Sequence, residues 1–276
     1  MLSDATQRRL VRWNVAMALL HGAFVAATLL AADMGMTLPL YAVAYGRSPV
    51  NVSGAWIAPG AIERDRHDLH IAWVALAFSA LSMAFHLLNA YGWREWYLTG
   101  IGEARCPSRW IEYSLSCPMQ GVAIAYLTGS MLTDQIVACF ALLSTTQFFG
   151  LLCEELSRPA GPDAWTRPAL YRLMPHLMGY FPFGVAVAII LQGFARASQL
   201  GDEGDSSARM PEFVYYIVVT QLLLFSSFSV VQLVVTLLPP RHFAAGEVAY
   251  QVLSLAAKAV LSLLLLANVI AISVFQ

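Results

Sequence analysis

Polar positions along this chain are sparse and clustered, and the stretches between them stay apolar for about 20 residues or more. Crossing about 30 Å of hydrocarbon takes roughly 20 such residues in an α-helix. Seven stretches qualify, at about 12–32, 68–91, 108–130, 133–156, 171–195, 211–237 and 244–273. The pattern predicts an all-α membrane protein, a seven-transmembrane helix bundle in which residues 1–276 form a single domain. The first stretch reads as a span and not as a cleaved signal peptide, because it lacks a small-x-small site and runs into Asp33-Met34-Gly35. Residues 33–67 make the one long connection. Its β-prone residues from Leu38 to Gly46, bounded by Gly and Pro, predict a short β-hairpin lying over one mouth of the bundle. The segment from Gly201 to Ser207 reads as a solvated acidic turn.

Composition agrees with the pattern. The chain is 58% hydrophobic and 12% charged, with a mean hydropathy of +0.62, whereas a soluble domain carries about 25% charged residues. A net charge of −1 supplies no basic field for nucleic acid, so the expected surroundings are membrane lipid and no nucleic acid. The four cysteines (Cys106, Cys117, Cys139 and Cys153) show no CxxC spacing, and three lie in apolar runs, which predicts small buried residues and not disulfides. No GxSxG or HExxH occurs, so a hydrolase is not indicated and no enzyme is expected.

The basic residues set the orientation. With the N-terminus inside, the cytoplasmic side holds ten arginines: Arg8, Arg9, Arg12, Arg94, Arg105, Arg109, Arg158, Arg167, Arg172 and Arg241. The outside then holds five: Arg47, Arg64, Arg66, Arg196 and Arg209. The excess predicts a multi-pass protein of the cell membrane, N-terminus cytoplasmic and C-terminus extracellular. The sixteenth basic residue is the only lysine, Lys258, inside the last span.

Lys258 lies about 14 residues into its run, roughly 21 Å along a helix, too deep to reach water easily. A lysine there costs about 2.5–3.5 kcal/mol. It either faces a wet interior beside a carboxylate or is kept for its amine chemistry, which includes Schiff-base formation with an aldehyde. Glu247, Gln251, Ser254, Lys258 and Ser262 follow at spacings of 4, 3, 4 and 4, a single polar stripe that must face the bundle interior. Glu112 is the candidate partner, in Arg109-Trp110-Ile111-Glu112-Tyr113-Ser114 of the third span, with Ser116 and Gln120 on its face. It is either an interfacial glutamate paired with Arg109 or a counterion for a charged nitrogen on Lys258.

His21 and His86 lie inside the first and second spans, and Ser82 shares the face of His86. They form either a hydrated polar pocket or the two axial ligands of a b-type haem in a membrane electron carrier. His67, His70, His176 and His242 read as surface residues at loops or span ends. Phe225 and Phe228 on the sixth span are either ordinary packing or the walls of a ligand site. The stripe Gly121, Ala125 and Gly129 permits close helix packing.

Seven spans, a lysine in the last and a carboxylate in the third resemble a microbial rhodopsin. Arg109-Trp110-Ile111-Glu112-Tyr113-Ser114 and Ser254-Leu255-Ala256-Ala257-Lys258 are similar to the third-span and retinal-binding motifs of the heliorhodopsins. The inverted topology and the long first loop resemble that family as well. The resemblance covers essentially the whole chain. It implies all-trans retinal on Lys258 as a protonated Schiff base, Glu112 as counterion and Ser254 beside the pair. It places Tyr113, Ser116, Cys117, Gln120, Phe225 and Phe228 along the polyene, and His21, His86 and Ser82 in a polar cavity. It also implies a homodimer and a cytoplasmic signalling partner. Proton pumps of the wider class carry a second carboxylate one turn before the lysine and a donor eleven residues beyond the first carboxylate. Here those positions are Ser254 and Ala123. The expected function is therefore light sensing by a retinal photoreceptor, with a light-gated proton channel or pump as the alternative.

Overall fold

The computed structural model describes residues 2–45, 59–202 and 210–271. Eight α-helices run in chain order: α1 (Asp4–Ala31), α2 (Ile71–Leu87), α3 (Arg94–Gly102), α4 (Pro107–Leu127), α5 (Thr133–Leu156), α6 (Ala169–Asp202), α7 (Glu212–Leu237) and α8 (Phe243–Leu265). All except α3 are long enough to cross a bilayer, and α1, α2 and α4–α8 are the helices that stand where the seven spans are predicted. π-helical turns at Leu88–Gly92 and Leu266–Ile270 extend α2 and α8.

The ends of the predicted spans shift for local reasons. Helix α1 begins eight residues before its apolar stretch because the Ser3 side chain caps it, accepting from the Thr6 N–H, with Asp4 in the positive first turn. Helix α3 is an extra element. It is too short and too polar to read as a span, and it packs its Tyr97 and Ile101 inward.

Six of the long helices are apolar enough to cross a membrane by composition; α4 is not. The reason lies in its surroundings. Helix α4 packs on α2, α5, α6 and α7, and its polar side chains, including Arg109, Glu112, Ser116 and Gln120, are buried against protein. Pro118 removes one N–H from the middle of α4 and frees the Ser114 carbonyl. The Ser144 hydroxyl of α5 donates to that carbonyl, so the break in the ladder is satisfied across the helix interface.

The connection after α1 forms the predicted hairpin: β1 (Leu38–Tyr45) pairs antiparallel with β2 (Pro59–Leu69). Residues 46–58, including Arg47, lie outside the described residues, as do Arg209 and most of the acidic segment after Asp202. Four bonds seat the hairpin and its approach on the bundle. The Tyr41 N–H donates to Met131 O at 3.0 Å, the Tyr126 hydroxyl to Pro39 O at 2.9 Å, and the Trp73 indole to Met34 O at 3.1 Å. The Thr133 hydroxyl donates to Asp65, and this bond, with the Arg66 N–H, holds the Asp65 carboxyl below its ordinary range.

The bundle divides into two unlike halves along its axis. On the hairpin side of Lys258 lies the main apolar core, built around Phe78, Ala123, Ile124, Leu261 and Leu265. On the opposite, arginine-rich side, buried polar groups are dense.

Candidate functional site

The stripe predicted on the last span is buried along its length. Glu247, Gln251, Ser254, Lys258 and Ser262 are 1–4% exposed, because this face of α8 turns to the bundle axis. Lys258 is the centre. Its Nζ donates to Glu112 Oε1 at 2.9 Å and to Ser254 Oγ at 2.8 Å, one turn back on the same helix. It lies 5.3 Å from the centre of the Tyr113 ring. Glu112 also receives the Ser82 hydroxyl at 2.7 Å. The Ala257 carbonyl, just before the lysine, accepts from Gln221 of α7 at 2.9 Å, which fixes the local turn of α8.

Glu112 therefore pairs with Lys258 and not with Arg109. The guanidinium of Arg109, one turn earlier on α4, bridges Glu154 of α5 and Glu247 of α8. Its face stacks 4.1 Å from the centre of the Tyr250 ring. Glu154 accepts a further bond from the Cys106 N–H at 2.7 Å. Gln251 donates to Glu247 at 2.8 Å, and the Tyr97 hydroxyl of α3 lies 3.3 Å from the same carboxylate. This second cluster ties α3, α4, α5 and α8 together next to the lysine. Sequence reasoning missed Glu154 and Tyr97 as members. The adjacent acids Glu154-Glu155 at the end of an otherwise apolar helix were the available signal, since only Glu155 faces the surface pair with Arg105.

His86 Nδ1 lies 2.8 Å from Asn14 Oδ1, and its ring stacks on His21 with centroids 5.6 Å apart and planes 16° from parallel. The rings stack on one another instead of opposing their nitrogens across a gap, so this pair does not fit the bis-histidine haem reading. Ser82 bonds Glu112 directly and so belongs to the shell of the lysine–glutamate pair. Asn14, which no motif flagged, completes the histidine pair.

A cavity opens beside Lys258, between α4, α5, α6, α7 and α8. All six residues expected along a polyene line it: Tyr113, Ser116, Cys117, Gln120, Phe225 and Phe228. So do Trp110, Phe149 and Phe183, which makes the walls largely aromatic. Trp110 lies over Gly150, where a Cβ would overlap the ring, so the missing side chain is what lets the indole form a wall. His176 corrects the reading of a surface residue: it lines the cavity, and its Nε2 is buried. His67, His70 and His242 are exposed, and the four cysteines are free thiols.

Chemically, the site offers one amine held beside one carboxylate, at the mouth of an elongated aromatic cavity. The amine can condense with an aldehyde, releasing water and forming an imine whose charge the carboxylate balances. A long apolar aldehyde such as retinal fits this donor set: a single polar end at Lys258 and aromatic walls beyond it.

A family model described as Heliorhodopsin matches residues 10–270. Solved structures share the architecture at low identity. The chain is 14% identical to a light-driven proton pump from Leptosphaeria maculans, covering 96% of this chain and 94% of that one with a TM-score of 0.58. It is 11% identical to the transmembrane domain of a Salpingoeca rosetta rhodopsin phosphodiesterase, over 95% and 87% of the two chains, with a TM-score of 0.60. Cyanorhodopsin from the cyanobacterium Tolypothrix sp. gives 11% identity over 97% and 96%, with a TM-score of 0.52. Among curated proteins, none matches in sequence.

Proposed function

The chain belongs to the heliorhodopsin family, and on that premise we propose that it is a light-sensing membrane receptor that signals and does not transport ions. Retinal is held by Lys258, Glu112 is the counterion, and Ser254 and Ser82 orient the pair. The observation that carries this reading is the Lys258–Glu112 pair, 2.9 Å apart and buried at the head of an aromatic cavity. When bound as an imine, retinal supplies a polyene whose isomerisation by light turns the nitrogen's proton away from Glu112.

The residues of the chain do the rest. The bond from Ser82 holds the Glu112 carboxylate beside Nζ. Once the charge pair is separated, that carboxylate is left with one donor in a buried site, an arrangement that favours a second packing of the polar network. The network leads one way. Glu112 lies one turn from Arg109, whose partner Glu247 accepts from the Tyr97 hydroxyl on α3. We assign this arginine-rich end to the cytoplasm, where a changed surface around α3 would meet a signalling partner. The exposed cross-strand pair Val43 and Ile62 on the hairpin supports pairing of two copies at the opposite end.

The same asymmetry argues against transport. Among the described residues, the buried carboxylates are Glu112, Glu154 and Glu247, all level with Lys258 or on its arginine-rich side. On the hairpin side, Ala123 is fully buried within the apolar core. Among the described residues, a proton leaving the lysine nitrogen has buried carboxylates to step to in one direction only, and vectorial transfer needs such groups in both.

Two measurements test the reading. Cells expressing the protein with retinal, illuminated in unbuffered medium, are expected to show no protonophore-sensitive pH change beyond that of cells expressing Lys258→Ala, while flash spectroscopy of the purified pigment shows a photocycle. A sustained, protonophore-sensitive pH change or a photocurrent would replace the sensor with a pump or channel. Glu112→Gln removes the charge that stabilises the protonated nitrogen, so its band is expected to move from the visible to the near ultraviolet at neutral pH. A visible band unchanged in position would show that another group is the counterion.

A further inference from the structure

We infer that the cavity wall opposite Lys258 recognises a polar substituent on the ring end of the chromophore, so that the protein takes a ring-hydroxylated retinal in preference to retinal itself. The inference rests on the retinal-binding reading above and names the ligand class more narrowly.

The cavity has a defined direction. Lys258 lies on α8, and the α6 wall lies across the cavity from it, built by His176, Gly179, Tyr180 and Phe183. A polyene attached to Lys258 and lying between the aromatic flanks of α4 and α7 would bring its ring to α6. That wall is not the apolar surface a hydrocarbon ring needs. His176 Nε2 is buried and has no hydrogen-bond partner. Its ring packs edge-on against Tyr180, with centroids 5.2 Å apart. The Tyr180 hydroxyl in turn is bonded to Ser229 of α7, so the tyrosine is occupied and the imidazole is not.

A buried ring nitrogen without a partner is costly, and native interiors seldom tolerate one. A hydrocarbon ring offers it nothing. A hydroxyl both donates and accepts, so it satisfies Nε2 in either histidine tautomer. Other unpartnered polar atoms along the cavity belong to Trp110, Ser116 and Gln120, all on α4. They flank the polyene chain, which carries no polar atom between its ring and its nitrogen. Only His176 stands where a ring substituent would arrive.

The test uses the full chain expressed without retinoid and titrated with all-trans retinal or all-trans 3-hydroxyretinal, following growth of the visible band. The wild type is expected to reach half-saturation at about fivefold lower concentration of the hydroxylated ligand, the advantage of one neutral hydrogen bond. His176→Phe is expected to form the retinal pigment and to bind the two ligands equally. His176→Gln, which keeps a hydrogen-bonding group, retains part of the preference and serves if the phenylalanine variant does not fold. Incubating the wild type with an equimolar mixture and extracting the bound retinoid gives the same answer without any variant. Equal affinities in the wild type, or a preference that survives in His176→Phe, overturn the inference. A failure of both ligands to give a visible band overturns the retinal-binding reading beneath it, a result that equal saturation by both cannot be mistaken for.

Discussion

Lys258→Ala abolishes the visible band of protein regenerated with all-trans retinal. This is the largest effect the structure predicts, because the substitution removes the only lysine in the chain and no other amine faces the cavity. The remaining cationic residues are arginines, whose guanidinium groups stay protonated and do not condense with aldehydes. The measurement is an absorption spectrum of the purified variant beside the wild type, with hydroxylamine added under light. The wild-type band should bleach as its imine is attacked, and the variant should show no band to bleach. The fold itself should survive, since the alanine variant leaves Glu112 with the Ser82 donor. A visible band in Lys258→Ala would remove the basis for the proposed function.

The second large effect is on stability. Arg109→Met removes the only guanidinium between Glu154 and Glu247, both 2–3% exposed, and leaves two buried carboxylates facing each other. Breaking a buried ion pair from one side typically costs about 3–5 kcal/mol, because the surviving charge is stranded. Methionine fills similar volume but restores neither the hydrogen bonds nor the stacking on Tyr250. We expect thermal bleaching of the pigment in detergent to begin on the order of 10 °C lower. Adding Glu154→Gln and Glu247→Gln to Arg109→Met should recover much of the loss, since the triple variant contains no stranded charge. If Arg109→Met alone bleaches at the wild-type temperature, the cluster does not stabilise the packing of α3, α4, α5 and α8.

Much of this arrangement is legible in the sequence, for reasons that differ from residue to residue. Burying Lys258 is so costly that its position alone signals an interior site, and the spacing from Glu247 to Ser262 fixes the face of α8 that must turn inward. Helix α5 appears at its predicted bounds because both ends are set by abrupt changes in polarity. Partner choice is another matter. Arg109 and Glu112 are three residues apart on one helix, so sequence permits them to pair. In the bundle, α8 inserts Lys258 beside Glu112, while Glu154 and Glu247 converge on Arg109 from two other helices. That competition is decided by helix packing, which no spacing on one segment records. His176 was misread for a related reason: near the end of an apolar run, proximity to the loop suggests exposure. Its spacing of four from Arg172, a charged residue inside the same apolar run and buried in the bundle, could have placed it inward.

The polarity of α4 has a consequence for how the protein is made. An insertion machinery that tests each emerging segment against lipid would meet Arg109 and Glu112 in one stretch, each of which disfavours entry on its own. The compensating contacts come chiefly from later segments: Glu154 arrives with α5, and Glu247 and Lys258 only with α8, 138 and 146 residues after Arg109 and Glu112. Helix α4 therefore gains its stable place in the membrane only after its neighbours have been synthesised. The short turn between Leu127 and Thr133 makes a joint entry with strongly apolar α5 the favourable route. Biogenesis of this protein is thus coupled to assembly, and α8 completes the charge balance of the third crossing.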